Sequence, residues 1–244
     1  MSEVPATTMP PPPPPPPPSV PAAPAAPGFD FVKPFAYVFE DPNWVQKVLL
    51  GGLFYLAGFL IIGWFFVLGY AARTARNVIR GDERPLPEWE NVGDFFGEGA
   101  RLVGVGLVYV IPMIVLVAWF IVPAIFMDII DNRAAEILGS GIAGCISCLI
   151  VPLSLAMMLF LPASLLFAAV EQRFSAAFEF ARIWAFIKEN IGNYLLAIVV
   201  YLIARFVAGF GIVLFCIGLI FTGFWSVLIM THGFAQAYKL APKR

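Results

Sequence analysis

The fold class is decided by one long uncharged stretch, LVGVGLVYVIPMIVLVAWFIVPAIFM (residues 102–127). The hydrocarbon core of a bilayer is about 30 Å thick, and about 20 apolar residues of helix cross it. Backbone polar groups find no water in lipid, so a spanning segment must be a helix or part of a closed barrel. The stretch exceeds that length and has no period-2 alternation, and it therefore predicts a transmembrane helix.

Other uncharged runs have comparable lengths. Three of them are long enough to cross a bilayer, namely 48–70, 137–170 and 206–231. A run that is too short to cross by itself, 191–204, is followed by the single charge of Arg205 and then by more apolar sequence. We predict that residues 191–231 form a helical hairpin that turns near Gly209 and Gly211.

The composition excludes an ordinary soluble domain. Hydrophobic residues make up 60% of the 244 residues and charged residues 13%, with a mean hydropathy of +0.86. The 15 Lys and Arg against 16 Asp and Glu leave no basic field for nucleic acid, and three Cys within apolar runs form no disulfide framework. We predict an all-α fold, that of a polytopic α-helical membrane protein with about five to six membrane segments and interfacial amphipathic helices.

The N-terminal residues 1–28 differ from the rest of the chain. They include an unbroken run of prolines, Pro10 to Pro18, followed by an Ala-Pro spacer. Proline favours extended polyproline II and builds no core, so we predict a disordered Pro/Ala-rich tail. The alternative is a ligand for an aromatic-lined groove on a protein partner. Residues 29–244 are predicted to be a single helical membrane domain, and we expect no cleavable signal peptide because the first apolar run begins only at Val48.

Positive charge in the connections predicts the topology. Lys and Arg number five in residues 71–101, three in 171–190 and three at the C-terminus, but one in 128–136. The first three segments are therefore predicted to be cytoplasmic and the last to be outside. A single crossing by residues 48–70 would export Lys33 and Lys47. We favour instead a hairpin over residues 43–80 that bends at 58–63, which keeps both termini cytoplasmic and makes six membrane segments.

Two connections have amphipathic patterns. Residues 171–190 are predicted to form one helix in the headgroup plane, with a polar face of Gln172, Ser175, Glu179, Arg182 and Glu189 and an apolar face of Phe174, Phe178, Ala181 and Ala185. Residues 95–111 also resemble 186–203, and the segment from Gly63 resembles the segment from Gly223. These matches suggest a degenerate internal repeat, although apolar sequence of low complexity produces such matches readily.

The segment GDERPLPEWENVGDFFGEG (residues 81–99), which we call the elbow, separates two apolar runs. Gly81 ends the preceding helix, and Pro85 and Pro87 force an extended path. Trp89 is placed to straddle the apolar and polar layers, and Asn91 is a plausible N-cap for a short amphipathic helix. The carboxylates are predicted to form a solvated helix face, the alternative being a site for a cation or a basic partner: Glu88, Glu90, Asp94 and Glu98. We interpret the elbow as a structural clamp between the first hairpin and the next crossing.

Residues 69–99 resemble the signature of an uncharacterised group of prokaryotic integral membrane proteins, the domain of unknown function (DUF) 4013 family. That signature has a Gly-Tyr after an early apolar segment, spaced arginines, a Gly, then Leu-Pro-Glu-Trp and a later Phe and Gly. The matching residues are Gly69, Tyr70, Arg73, Arg76, Gly81, Leu86, Pro87, Glu88, Trp89, Phe95 or Phe96, and Gly99. The resemblance implies a multi-pass protein of the prokaryotic plasma membrane and brings no known chemistry.

Few residues outside the elbow suggest a site. Cys145 and Cys148 form a CISC pair, but without a second pair or a nearby His they are better explained as a small-residue packing face. Arg205 is either a transport residue or a side chain that snorkels to the outer interface. His232 has no evident Ser or Cys partner, and no phosphate-binding loop is present. We therefore predict no catalytic, cofactor-binding or metal-binding residues.

Three functions are consistent with these patterns. The first, which we favour, is a noncatalytic membrane scaffold that organises lipids or protein partners. The second is a small-solute transporter or channel component, with helices broken at Pro112, Pro123, Pro152 and Pro162 lining a path. The third is a membrane-embedded enzyme that uses the elbow carboxylates. A transporter predicts a polar cavity near mid-membrane, whereas a scaffold predicts clefts only at the headgroup level.

Overall fold

A computed structural model describes residues 28–129, 133–213 and 217–242 of the chain. This described part is predominantly helical and contains no β-strand. Its α-helices are α1 (Lys33–Ala36), α2 (Trp44–Ala57), α3 (Ile62–Arg80), α4 (Val92–Ile129), α5 (Arg133–Glu171), α6 (Phe180–Glu189), α7 (Ile191–Gly209) and α8 (Ile217–Leu240). Short 3-10 turns occupy Gly58–Leu60, Phe174–Phe178 and Phe210–Val213. The predicted tail lies outside the described residues except for Gly28.

Within the described residues, four helical segments are long and apolar enough to cross a membrane. They are Val92–Trp119, Cys148–Glu171, Ile191–Val213 and Gly218–Leu240. Large apolar side chains on α4 and α5 are exposed along the outer faces, for example Ile114, Trp119 and Leu155. A contiguous apolar surface of this kind is stable only against lipid. The predicted all-α, polytopic membrane fold is confirmed.

The first apolar run is a helical hairpin. Its first helix, α2, has 14 residues and is about 21 Å long, which is too short to cross the hydrocarbon core. The Phe54 ring stacks on Phe66 with centroids 4.6 Å apart, so α2 and α3 run antiparallel. The chain reverses at Ile61, whose φ of 66° is unusual for a β-branched residue. Residues 48–70 are therefore not one continuous helix, and the predicted bend at 58–63 is confirmed. That the hairpin enters and leaves the membrane on the cytoplasmic side stays a prediction.

Helix α3 is the centre of the bundle. It packs against α2, α4, α5 and α8, and its small residues Ala71, Ala72 and Ala75 are buried. Helix α8 pairs with α7 and also contacts α2. The chain turns after Gly209 in the 3-10 turn Phe210–Val213, which confirms the predicted turn of the second hairpin.

One end of the bundle gathers four separate connections. The Tyr37 hydroxyl of the N-terminal segment donates to the Leu228 carbonyl in α8 at 3.0 Å. The Asn190 side chain, before α7, donates to the Ala237 carbonyl near the end of α8 at 2.6 Å. The Arg76 guanidinium, in the last turns of α3, donates to the Ala169 carbonyl near the end of α5 at 2.9 Å. Residues 28–43, the elbow, residues 172–190 and the end of α8 therefore lie together, and α4 and α7 end at the opposite side.

The helix breaks that the transporter alternative would require are not found in the described residues. Helix α4 continues through Pro112 and Pro123, and α5 continues through Pro152 and Pro162. Each proline removes one intrahelical hydrogen bond, and neighbouring helices allow a transmembrane helix to tolerate that loss. These prolines therefore do not produce the broken helices that were expected to line a path.

The connection after α5 is also not one helix. Gln172 takes a positive φ of 54°, and a 3-10 turn, Phe174–Phe178, precedes α6. The buried side chains of α6 are Ile183 and Ile187, whereas Ala181 of the predicted apolar face is exposed. The helix is amphipathic as predicted but rotated, because the break at Glu179 resets its phase. No structural observation tests the internal repeat, which stays a prediction.

Candidate functional site at the elbow

The elbow begins at a left-handed glycine. Gly81 has φ 88° and its N–H donates to the Asn77 carbonyl at 3.0 Å, which caps the end of α3. The Asn77 side chain in turn donates to the Pro85 carbonyl at 2.8 Å. Any residue with a Cβ is strained at this φ, and this strain explains why a glycine occupies position 81.

Trp89 joins three helices. Its indole stacks on Tyr70 of α3 with centroids 4.3 Å apart and on Phe54 of α2 at 4.9 Å, and it meets the edge of Phe95 of α4 at 5.2 Å. The indole N–H donates to the Lys47 carbonyl at 3.0 Å. The Tyr70 hydroxyl donates to the Pro87 carbonyl at 2.9 Å. Trp89 is thus partly buried against an aromatic cluster, and its position at the interface with lipid stays a prediction.

A buried ion pair holds the elbow to the start of α2. The Lys47 ammonium lies 2.7 Å from Asp41 Oδ2 and 2.8 Å from Glu88 Oε1, and it donates to the Leu86 carbonyl at 3.0 Å. Lys47 is 3% exposed and Asp41 is 4% exposed. Asp41 was absent from the predicted site because its spacing from Lys47 matches no helical face. Lys47 itself had been counted only as a topology signal.

The arginines of α3 bind a carboxylate of α4. Arg73 Nη2 lies 3.0 Å from one oxygen of Glu98, and Arg76 Nη2 lies 2.5 Å from the other. The Arg73 guanidinium also covers the Phe95 ring at 4.5 Å. Glu98 is only 15% exposed, so its predicted place on a solvated face is wrong. Asp94 is 64% exposed, as that prediction requires.

Two glycines bring α3 and α4 into backbone contact. A Cβ built on Gly69 would lie 1.9 Å from the Phe95 carbonyl oxygen, and one on Gly99 would lie 1.5 Å from the Phe65 carbonyl oxygen. Small residues at helix interfaces allow such close approach in membranes. These contacts fix the position of α3 along α4, and thereby bring Arg73 and Arg76 of α3 next to Glu98 of α4.

We expect Gly99→Ala to lower the stability by about 2 kcal/mol, because overpacking against backbone forces the two helices apart. Gly97→Ala is the matched control, since a Cβ there meets no atom within 4 Å and alanine is the better helix former. Thermal unfolding of the detergent-solubilised variants measures both. Equal melting temperatures for the two variants would contradict the close contact.

All the residues of the family motif that were expected to form the elbow clamp lie in this one assembly. They are Gly69, Tyr70, Arg73, Arg76, Gly81, Leu86, Pro87, Glu88, Trp89 and Gly99. Leu86 contributes a buried side chain and the carbonyl that Lys47 binds. The arrangement can hold α2, α3 and α4 in register, and the carboxylates of Glu88 and Glu98 are already occupied by Lys47 and by the two arginines.

The other candidate residues lie away from the elbow. Arg205 is exposed, and its Nη1 lies 3.5 Å from the Tyr55 hydroxyl and 3.4 Å from Ser226 Oγ. Cys148 is an exposed free cysteine, and the side chain of Cys145 is outside the described part. Within residues 28–129, 133–213 and 217–242, no group of three His, Cys, Asp or Glu side chains is placed to hold a metal ion.

The fold and the elbow define an α-helical polytopic membrane protein with one highly connected end. Residues 52–232 match the family described as Protein of unknown function (DUF4013), and the chain belongs to that family. Neither a curated protein nor a solved structure gives a significant match to the chain.

Proposed function

We propose that the protein is a noncatalytic scaffold that organises lipid in the plasma membrane of a prokaryote. The observation that carries the proposal is the depth of the first hairpin. About three helical turns, or about 16 Å, separate the buried Lys47 from Gly58, which is roughly half of a hydrocarbon core. Its tip is apolar and exposed, with Phe59 83%, Leu60 78% and Ile61 69% exposed. Such a tip is stable only within lipid.

Further apolar side chains lie at the same end as the base of the hairpin. Phe180 and Trp184 are exposed on the connection after α5, beside an ionic cluster in which Arg182 contacts Glu171 at 2.5 Å. Phe31, Val32 and Phe39 are exposed on the N-terminal segment. Amphipathic elements of this kind lie in the headgroup layer. Together with the hairpin they add protein volume to one leaflet, which favours curvature and local ordering of lipid.

A membrane-level groove supports the same proposal. It has a volume of about 450 Å³ and lies between α4, α5 and the connection that follows α5. Its walls are apolar apart from the hydroxyl of Tyr109, which is occupied by Ser164 Oγ at 2.6 Å and by the Ala177 carbonyl at 3.0 Å. A groove with this lining suits an acyl chain better than a polar solute. The proline-rich tail, residues 1–28, is part of the proposal as a spacer or as a ligand for a protein partner.

Vesicle shape tests the scaffold. Proteoliposomes with the wild-type chain are expected to be smaller or tubulated in electron cryomicroscopy, and the double variant Phe59→Asp/Leu60→Asp is expected to lose this effect. The reason is that each charge costs about 2.5–3.5 kcal/mol in the hydrocarbon core, which expels the tip. Asn91→Asp, which adds a charge at an exposed position of the elbow, is the control and should keep the effect. Wild-type vesicles of unchanged diameter would count against the scaffold.

The same proposal places both termini in the cytoplasm. Reporters fused after residues 30 and 84 are expected on one side and a reporter after residue 133 on the other, because the hairpin returns to the side from which it enters. Opposite sides for the first two reporters would mean that the hairpin crosses.

Arg205 favours a second candidate, a small-solute transporter or channel component. Its partner Ser226 is fully buried, about 13 Å from the start of α8 and about 21 Å from its end, so the guanidinium lies well inside the membrane rather than at the turn. An intramembrane charge is a functional suspect. Anion flux into proteoliposomes that Arg205→Gln abolishes would favour the transporter over the scaffold. The continuity of helices α4 and α5 favours the scaffold over the transporter.

A further inference from the structure

A second pocket, with polar walls, lies at the charged end of the bundle. It has a volume of about 330 Å³ and is formed by the N-terminal segment, the first residues of the elbow and the last turns of α8. Its lining includes six polar or ionisable side chains, Lys33, Tyr37, Asp82, Glu83, His232 and Lys239, besides that of Gln236.

A buried histidine in this pocket lacks a partner. His232 is 6% exposed, and among the described residues its Nδ1 has no hydrogen-bond partner. The Tyr37 ring lies 4.5 Å from the imidazole, but the Tyr37 hydroxyl is committed to the Leu228 carbonyl, and burial raises the pKa of that hydroxyl above its usual value. A buried polar atom without a partner is costly, and a ligand with a polar group would remove the cost.

The pocket has cations and anions on different walls. Lys239 comes from α8, and its ammonium lies directly over Gly81; Lys33 comes from the N-terminal segment, where it also pairs with Glu40 at 2.6 Å. Asp82 and Glu83 come from the elbow. Asp82 is held loosely by Arg80 at 3.5 Å, with both side chains largely in solvent. A simple anion would satisfy the lysines but would face the two carboxylates, whereas a zwitterion matches both walls.

The surroundings place the pocket at the lipid surface. Exposed Phe31 and Val32 flank Lys33, and the apolar span of α8 ends at Leu240, which is part of the pocket wall. The mouth is therefore at the depth of the headgroups, where a phosphate and an amine are present at high local concentration.

We propose that this pocket binds a phosphoethanolamine group, that is, a phosphodiester with a primary ammonium, from a membrane phospholipid. The phosphate accepts hydrogen bonds from Lys239 and Lys33 and lies beside the imidazole of His232, while the ammonium donates to Asp82 and Glu83. The inference rests on the proposed lipid-organising function and names the lipid that the scaffold recognises.

Competition between headgroups tests this inference. The full-length protein is reconstituted with equal amounts of phosphatidylethanolamine, phosphatidylcholine and phosphatidylglycerol of identical acyl chains, and the retained lipids are counted by native mass spectrometry. Phosphatidylethanolamine is expected to be retained about tenfold more than phosphatidylcholine, because a trimethylated amine donates no hydrogen bond to the carboxylates. Asp82→Asn, at an exposed position, should remove the preference, whereas Lys239→Gln, also exposed, should lower the retention of both lipids because they share the phosphate. Lys188→Gln, an exposed lysine in the last turn of α6, should keep it.

Each of the remaining outcomes either supports or overturns the inference. Equal retention of ethanolamine and choline lipids, or a preference for phosphatidylglycerol, overturns the inference, as does loss of the preference in Lys188→Gln. Displacement of the lipid by an equal concentration of soluble glycerophosphoethanolamine supports the headgroup chemistry and identifies an aqueous source. The vesicle-shape experiment is independent of headgroup preference, so a failure of the pocket and a failure of the scaffold are distinguishable.

Discussion

Replacement of Trp89 by alanine is expected to lower the free energy of unfolding by about 3–5 kcal/mol, the usual cost of deleting a large aromatic side chain from a packed site. The indole fills the space between Tyr70, Phe54 and Phe95, which belong to three different helices. Its loss leaves a cavity at the point where these helices meet, and it also removes the hydrogen bond to the Lys47 carbonyl. Thermal or denaturant unfolding of the detergent-solubilised protein measures the change.

Three variants separate the contributions to this loss of stability. Trp89→Phe keeps an aromatic ring and loses the N–H donor, so that we expect a smaller loss, of which the hydrogen bond accounts for about 1 kcal/mol. Asp94→Ala removes a side chain that is 64% exposed and should have little effect. Pro87→Ala should fall between Trp89→Ala and Asp94→Ala, because it loosens the extended path without opening a cavity. Equal and negligible losses for Trp89→Ala and Asp94→Ala would exclude a clamp.

The second large effect is expected for Lys47→Met. This change leaves the Asp41 carboxylate buried without its ammonium partner, and breaking a buried pair in this way costs about 3–5 kcal/mol. It also leaves the Leu86 carbonyl without its donor and frees Glu88. The elbow is therefore expected to detach from α2, and limited proteolysis between residues 81 and 91 should accelerate together with the loss of thermal stability.

Lys33, in the N-terminal segment that also contains Asp41, supplies a matched control for Lys47. Lys33→Met removes a lysine from an ion pair with Glu40 that is about half exposed, and such pairs contribute about 0–1 kcal/mol. The double variant Lys47→Met/Asp41→Asn removes both charges and keeps an acceptor for the Asn43 N–H, which Asp41 Oδ1 binds at 2.8 Å. We expect it to recover most of the lost stability. If the double variant were as unstable as Lys47→Met alone, the uncompensated charge would not be the cause.

The elbow gives the family motif a physical interpretation. Its glycines are needed at a left-handed cap and at two backbone contacts, its Leu-Pro-Glu-Trp run supplies the carbonyls and side chains that bind Lys47 and Tyr70, and its arginines neutralise Glu98. These roles concern assembly of the helices. The polar pocket beside the elbow is where we expect recognition of a ligand.

Several features could be predicted without coordinates because they depend on local properties. Run length and the cost of unsatisfied backbone in lipid are sufficient to predict the membrane helices, and the positions of Lys33 and Lys47 favoured a hairpin over a single crossing. Gly81 was expected to end a helix, since a left-handed cap is a local conformation. Helix phase was less predictable, as α6 illustrates, because one break at Glu179 rotates every following side chain.

The pairings within the elbow required the tertiary structure. Arg73 and Arg76 are 25 and 22 residues from Glu98, and Lys47 is 39 residues from Leu86, so no periodicity relates them. They meet because α3 and α4 touch through Gly69 and Gly99 and because the hairpin folds back on the elbow. Composition and run length were enough to establish that the chain folds into lipid-solvated helices, since transfer into lipid is a property of each segment alone. Which charges are buried depends on how the helices pack, since burial is a property of several segments together.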